Sequence, residues 1–388
     1  MQHTRLPLRA HLFQLALAAM VIVFVVWIGS NVQGNLSRIG QHISFDFLSD
    51  PANFPVSQSL IRYDSSDSYL RVFWVGLLNT LLISALSVIT ATLIGVVIGI
   101  IRISPNWLLR KLAAVFVEVF RNVPLLLQLF FWYFAVLAVL PSPRTSDWVL
   151  GCDAENSCLA ALTNRGLDLA KPLWTQTTLI AVLLALVSVG VMVILWWLAK
   201  RHQQQSGKRW RLWPWFIVLL AIAPLFWFSQ MGADDYSLPQ LKGFNYRGGL
   251  TILPELAALW LALTLYSAAY VAEYVRAGIQ AVSKGQYEAA AAIGLGSGLS
   301  MRLVILPQAL RVIIPPLTNQ YLNIVKNSSL ATAIAYPDLV SVFTGTALNQ
   351  TGRSIEIIVM TMAVYLTISL IIALLMNTYN RRKQLVSR

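Results

Sequence analysis

The chain of 388 residues predicts an all-α polytopic membrane protein. Three observations carry that prediction. The composition is 57% hydrophobic and 12% charged, whereas a soluble domain has about 25% charged residues. Apolar runs of about eighteen residues or more, each long enough to cross the hydrocarbon core as a helix, recur along the sequence. The short alternating segments of a transmembrane barrel are absent, and lipid favours helices because they satisfy their own backbone hydrogen bonds.

About eight spans are expected, at 11–30, 73–101, 112–140, 176–199, 212–230, 255–280, 304–326 and 355–378. The first follows Arg5 and Arg9, the pattern of a signal segment. No small-residue cleavage signal follows its core, so a retained signal-anchor helix is expected. Residues 31–72 form an outer loop rich in Ser, Asp and Pro. Gly76, Asn79 and Thr80 open the second span, and the third carries Glu118, Arg121 and Gln128. A polar loop at 141–175 holds the only two cysteines, Cys152 and Cys158. The fourth and fifth spans flank the basic connector 200–211. The sixth ends in Tyr270, Glu273 and Arg276. A polar loop at 282–307 leads into the seventh, which carries Asn319, Asn323 and Lys326 at helical spacing on one face.

Lys and Arg in the loops set the orientation. With the N-terminus inside, the inner segments carry Arg5 and Arg9; Arg102, Arg110 and Lys111; Lys200, Arg201, Lys208, Arg209 and Arg211; Arg276, Lys284, Arg302 and Arg311; and Arg381, Arg382, Lys383 and Arg388. The outer segments carry fewer cations, mostly balanced by Asp and Glu. The expected topology is therefore N-in/C-in. The net charge of +13 is then a topology signal, and it calls for no nucleic-acid partner. Cys152 and Cys158 fall on the oxidising side, where a disulfide is expected over two free thiols. The scattered His3, His11, His42 and His202 offer no metal site.

The loop carries the sharpest motif. Glu288, Ala289, Ala290 and Gly294, followed by Val304-Ile305-Leu306-Pro307, resemble the EAA loop of bacterial ABC-importer permeases. Val304 replaces the family's Ile. The likeness extends to Tyr270 through Gln280, to Glu118–Gln128 and to Lys326–Ala331, segments that resemble the histidine, glutamine and arginine permeases. The extra length resembles the long permease subunit of general L-amino-acid importers. The resemblance implies a five-helix permease core with inserted helices. Residues 1–72 would be the signal-anchor helix and outer loop, 73–140 the first part of the core, 141–254 the insertion, and 255–388 the second part, with the coupling loop at 282–307.

The resemblance also implies a role. Glu288, Ala289, Ala290, Gly294, Leu306 and Pro307 would dock a separate ATPase, and Glu273 and Arg276 would transmit its motion. Small, helix-favouring alanines let backbones approach closely, glycine permits a tight turn, and a carboxylate suits a helix start. Glu118 and Arg121 share a three-residue spacing that lets them pair. Asn79, Gln128, Tyr270, Asn319, Asn323 and Lys326 are the candidate substrate pathway; intramembrane polar residues also serve as interhelical glue. The implied partners are a second, different permease, two cytoplasmic ATPases, a periplasmic amino-acid-binding protein and the lipid bilayer. The chain has no phosphate loop: Gly207-Lys208 lacks the upstream glycine and the following Ser or Thr. No catalytic residue and no cofactor of its own are expected, with ATP and Mg on the partner. An ion-coupled carrier is the competing class, but it has no use for the Glu288–Pro307 pattern.

Overall fold

The structure, a computed structural model, describes residues 8–38, 42–152, 157–207, 210, 212–230 and 235–383. Arg5, Lys208, Arg209, Arg211 and Arg388, counted in the topology, and His3 lie outside the described residues. In chain order the helices are α1 (Leu8–Arg38), α2 (Tyr69–Ile101), α3 (Trp107–Asn122), α4 (Leu125–Phe130), α5 (Gln176–Ser206), α6 (Trp213–Gln230), α7 (Pro254–Gln280), α8 (Lys284–Ala292), α9 (Ser297–Ser300), α10 (Leu306–Asn327), α11 (Leu348–Thr351) and α12 (Ser354–Lys383). The chain forms two compact units, Met1–Ala113 with Tyr270–Arg388, and Ala114–Ala269.

Among the described residues, six helical stretches are long and apolar enough to cross a membrane: Phe13–Val32, Tyr69–Ile101, Gln176–Ser206, Pro254–Gln280, Ser297–Ile334 and Ser354–Asn380. Two expected spans need correction. The third, 112–140, is two pieces, Trp107–Asn122 and Leu125–Leu137, bent by 104°. Pro124 causes the break, because the residue before a proline is driven out of the helical region. The fifth, 212–230, is α6, whose apolar part Trp213–Trp227 is shorter than a full crossing and contains Pro224.

Buried clusters hold the described residues of the first unit together. Phe47, Tyr69, Val72, Leu339, Phe343 and Ile357 knit the loop before α2 to α2, α12 and the segment before α11. Val271, Val275, Ile279, Ile305, Ile313 and Leu317 join α7 to α10. Helix approach there is close. A Cβ on Gly99 of α2 would sit 2.7 Å from the Val275 Cβ. One on Gly278 of α7 would collide with the Ile313 side chain. Lipid tails are as apolar as leucine, so such small-residue contacts, rather than burial from water, favour helix association in the bilayer.

The second unit corrects the all-α expectation. Its polar segments form strands β1 (Val149–Leu150), β2 (Ala160–Thr163), β3 (Gly166–Leu169), β4 (Lys171–Pro172), β5 (Tyr236–Ser237), β6 (Gln240–Lys242), β7 (Asn245–Arg247) and β8 (Leu250–Ile252). The largest sheet is antiparallel with order β1-β2-β3-β8. These strands are two to four residues long. Such short runs carry too little alternation to be read beside long helical ones. Cys152 and Cys158 are joined by a disulfide beside this sheet. In the same unit α5 and α6 pack on each other.

Asp168 lies inside the sheet, 4% exposed, and accepts a 2.6 Å hydrogen bond from the Thr251 hydroxyl. Burial raises its pKa above the ordinary carboxylate range, and the Thr251 bond only partly offsets this. A carboxyl whose folded pKa is raised holds its proton longer when folded. Stability therefore falls as pH rises from about 4 through the folded value. Asp168→Asn should remove that slope, so its thermal midpoint should gain on wild type as pH rises from about 4 to 7. Parallel melting curves across that range would contradict this assignment.

Candidate functional site

The loop between α7 and α10 is built as a capped helical projection. α8 begins after Ser283, whose backbone is extended, and ends at Ala292. Gly294 has φ +77°. Its N–H donates to the Ala291 carbonyl at 2.9 Å, and the Leu295 N–H donates to the Ala290 carbonyl at 3.0 Å. This pair of bonds is a Schellman cap, which needs a left-handed residue just past the helix. A Cβ on Gly294 would meet nothing within 4 Å. The glycine is therefore required by backbone conformation, not by crowding within the chain.

Ala290 alone among the four alanines turns inward, at 2% exposure. Glu288, Ala289, Ala291, Ala292 and Gly294 are exposed. So are Tyr287, Ile293, Leu299 and Leu303, with Ile293 at 75%. These side chains leave apolar surface exposed beside the alanines. Pro307 lies inside the helical stretch Ser297–Ile334, just after the π-turn Met301–Ile305, where its missing N–H interrupts the regular bond pattern. The Gln308 amide donates to the Gln286 carbonyl oxygen at 2.9 Å, tying α8 to the start of α10.

Directly before this loop, three charges meet. Glu273 accepts from Arg276, one turn along α7, and from Arg102 at the end of α2. Arg276 also donates to the Gln280 side chain at 2.6 Å. The pairing of Glu273 with Arg276 follows from their spacing. The part played by Arg102 does not, since it lies 171 residues away. In sequence it is only one inner cation among many. Glu118 and Arg121 are both exposed on α3.

The polar pathway candidates separate into two groups. Asn319, Asn323 and Lys326 share an exposed face of α10. Asn79 is fully buried in α2, and its amide donates to the carbonyls of Gln58 at 2.9 Å and Pro337 at 2.8 Å. Gln128 belongs to the second unit; its amide donates to the carbonyls of Phe120 and Val123, both at 2.9 Å. Those carbonyls end α3, so Gln128 stabilises the bend before Pro124. Tyr270 is half-buried in α7.

Sequence reading also missed Asp338, and it named Thr80 only among the residues that open the second span. Asp338 is fully buried after the helical turn Ser328–Ile334. Its carboxylate accepts from the Ser341 N–H at 2.9 Å and the Tyr365 hydroxyl at 3.3 Å. The Thr80 hydroxyl accepts from the Leu339 N–H at 3.0 Å. Together they attach the segment after α10 to α12 and α2. The Tyr-Pro-Asp stretch at 336–338 marks a turn, but its partners are hundreds of positions away or on another span.

Two substitutions test these joints. Glu273→Gln weakens two charge-assisted bonds and should lower stability by about 2 kcal/mol, read as a fall in thermal midpoint. Gln128→Leu deprives two helix-end carbonyls of their donor and should cost about 1–3 kcal/mol. An unchanged midpoint in either would remove that joint from the account.

The profile of the family described as "Binding-protein-dependent transport system inner membrane component" matches residues 209–385. The permease protein YhdX of Escherichia coli (strain K12) is 51% identical over 98% of this chain and 95% of its own length. The general L-amino acid transport system permease protein AapQ of Rhizobium johnstonii is 45% identical, covering 98% of this chain and 93% of its own. The glutamate/glutamine/aspartate/asparagine transport system permease protein BztB of Rhodobacter capsulatus is 40% identical, covering 98% and 95%.

Proposed function

The chain belongs to the family of binding-protein-dependent transport inner-membrane components, and from that premise we propose that it carries L-amino acids across the membrane as one half of an ATP-driven import pore. It is an inner-membrane permease subunit and not the ATPase. Relatives described as general L-amino acid and glutamate/glutamine/aspartate/asparagine permeases support the substrate class.

The chain runs N-in/C-in, which needs an even number of crossings and so counts the short α6 with the six long spans and the bent pair. Two cytoplasmic ATPases act on the pore, and the second half is a different permease. ATP and Mg stay on the ATPases, and this chain holds no cofactor. A periplasmic binding protein delivers the substrate.

One observation carries the coupling role. An exposed helix, α8, is capped by Gly294 and attached to both adjoining spans, and Ile293 projects beside its alanines. ATPase closure presses on this projection. The charges on Arg102, Glu273 and Arg276 pass the displacement into α2 and α7, and Gln286 passes it to α10. Access to the pore then alternates between the two sides. The face bearing Asn319, Asn323 and Lys326 is exposed in a single chain, which suits a pore wall completed by a second permease. Amides and an ammonium there supply donors for a substrate carboxylate and acceptors for its amino group.

Three measurements test this. In proteoliposomes holding the whole importer, uptake should require internal ATP; ion-gradient-driven uptake without ATP would overturn the reading. Gly294→Asp should abolish uptake at unchanged membrane content, because it places a charged side chain on the docking surface at a left-handed position that favours glycine. Asn323→Ala should reduce uptake about tenfold, with ATPase docking intact, through loss of a substrate hydrogen bond. Wild-type rate and affinity in that variant would remove Asn323 from the pathway.

A further inference from the structure

The inserted helix pair α5–α6 ends in a cluster that the transport reading leaves unused. Trp196 and Trp197 lie one turn before Lys200 and Arg201 on α5. The Lys200 ammonium sits over the Trp196 ring at 5.3 Å, and the Arg201 guanidinium over the Trp197 ring at 3.7 Å. All four side chains are exposed. Past the helix, Gly207 takes φ +69° and ends α5. The Trp210 ring returns to lie 4.9 Å from His202.

Three facts make this more than a solvated charge run. First, stacking engages the face of the guanidinium and leaves its in-plane N–H donors free. Among the described residues, no carboxylate pairs with Lys200 or Arg201. Second, the sequence holds no Asp or Glu between Asp168 and Asp234, while residues 200–211 include Lys200, Arg201, Lys208, Arg209 and Arg211. Third, only 6% of the apolar window of α5 is buried, so the helix presents its flank to lipid. Exposed Trp213 and Trp215 open α6 on the same side of the hairpin, where indole rings settle at the level of lipid headgroups.

We propose that this end of the α5–α6 hairpin is a binding site for an anionic phospholipid of the inner leaflet, with Arg201 and Lys200 on the headgroup phosphate and Trp196 and Trp197 beside its glycerol backbone. The paired indoles hold both cations at the interface before lipid arrives, so little side-chain freedom remains to be lost on binding. Charge complementarity selects the occupant: an uninterrupted basic connector faces a negatively charged cytoplasmic leaflet. A zwitterionic lipid offers no net charge to match it. The proposal shares the N-in/C-in orientation with the transport reading but does not depend on the coupling loop.

The test uses the whole importer, exchanged into micelles of defined lipid and examined by native mass spectrometry. Wild type should retain phosphatidylglycerol over phosphatidylcholine. Lys200→Gln with Arg201→Gln should weaken phosphatidylglycerol retention about fivefold per cation removed. Trp197→Leu, which keeps the apolar bulk but removes the stack, should weaken it by a smaller factor. Equal retention of the two lipids by wild type, or unchanged retention in the double variant, overturns the site. Full competition by free glycerol phosphate also overturns it, since the pocket would then be one for small anions. Loss of ATPase co-purification with undiminished phosphatidylglycerol retention marks a protein-docking surface and overturns it too. ATP-dependent uptake is measured alongside as a separate readout. Uptake that persists while lipid retention falls leaves the transport reading standing and supports the lipid site.

Discussion

The contact between Glu273 and its two arginines is the joint on which the functional half of the molecule depends. It joins the end of α2 to α7 about two turns before α7 ends. A carboxylate near the end of a membrane span is costly to leave alone. Two guanidiniums satisfy it, and by doing so they lock two helices in register. Close contacts at Gly99 and Gly278 complete the arrangement, seating α7 against α2 on one side and α10 on the other. Short contacts therefore link the segment around α8 to α2, α7 and α10.

The loop itself shows how a motif can be backbone chemistry more than side-chain chemistry. A side chain on Gly294 would meet nothing, yet its left-handed conformation satisfies two of the orphan carbonyls at the end of α8 and turns the chain toward α9. The alanines leave a low surface, and Ile293 supplies one projecting apolar contact. A short helix with a defined stop and few bulky side chains is what a cleft on another protein can accept. Polar residues elsewhere divide by job. Asn79, Gln128, Thr80 and Asp338 spend their hydrogen bonds on the chain's own backbone or on neighbouring spans. Asn319, Asn323 and Lys326 remain on an open face.

The insertion adds two different materials. Its polar segments form a small antiparallel sheet with a disulfide at its margin. Its apolar segments form a helical hairpin whose far end gathers tryptophans and cations. A sheet suits the aqueous side, where strand edges can be hydrated, and a hairpin suits lipid, where they cannot.

Much was legible from sequence because lipid imposes a strong one-dimensional rule: long apolar runs become helices, and cations mark the inner loops. That rule located six of the expected spans as long helices, missed the break in the third and the shortness of the fifth, and placed the loop at 282–307 between two helices. The Glu288–Pro307 spacing identified the family, since the cap at Gly294 is local and its glycine is visible as a letter. The rest depended on contacts between distant residues. Nothing near Arg102 announces Glu273, nothing near Asp338 announces Tyr365, and strands of two to four residues have no period to read. The 104° bend lies between: Pro124 signals a break, but only the folded chain shows Gln128 holding both freed carbonyls. Sequence alone determined which segments are apolar enough for lipid and where the Glu288–Pro307 motif lies. Tertiary structure decided which polar groups are occupied by the chain itself and which are left for something else, because a hydrogen bond is a fact of three-dimensional distance.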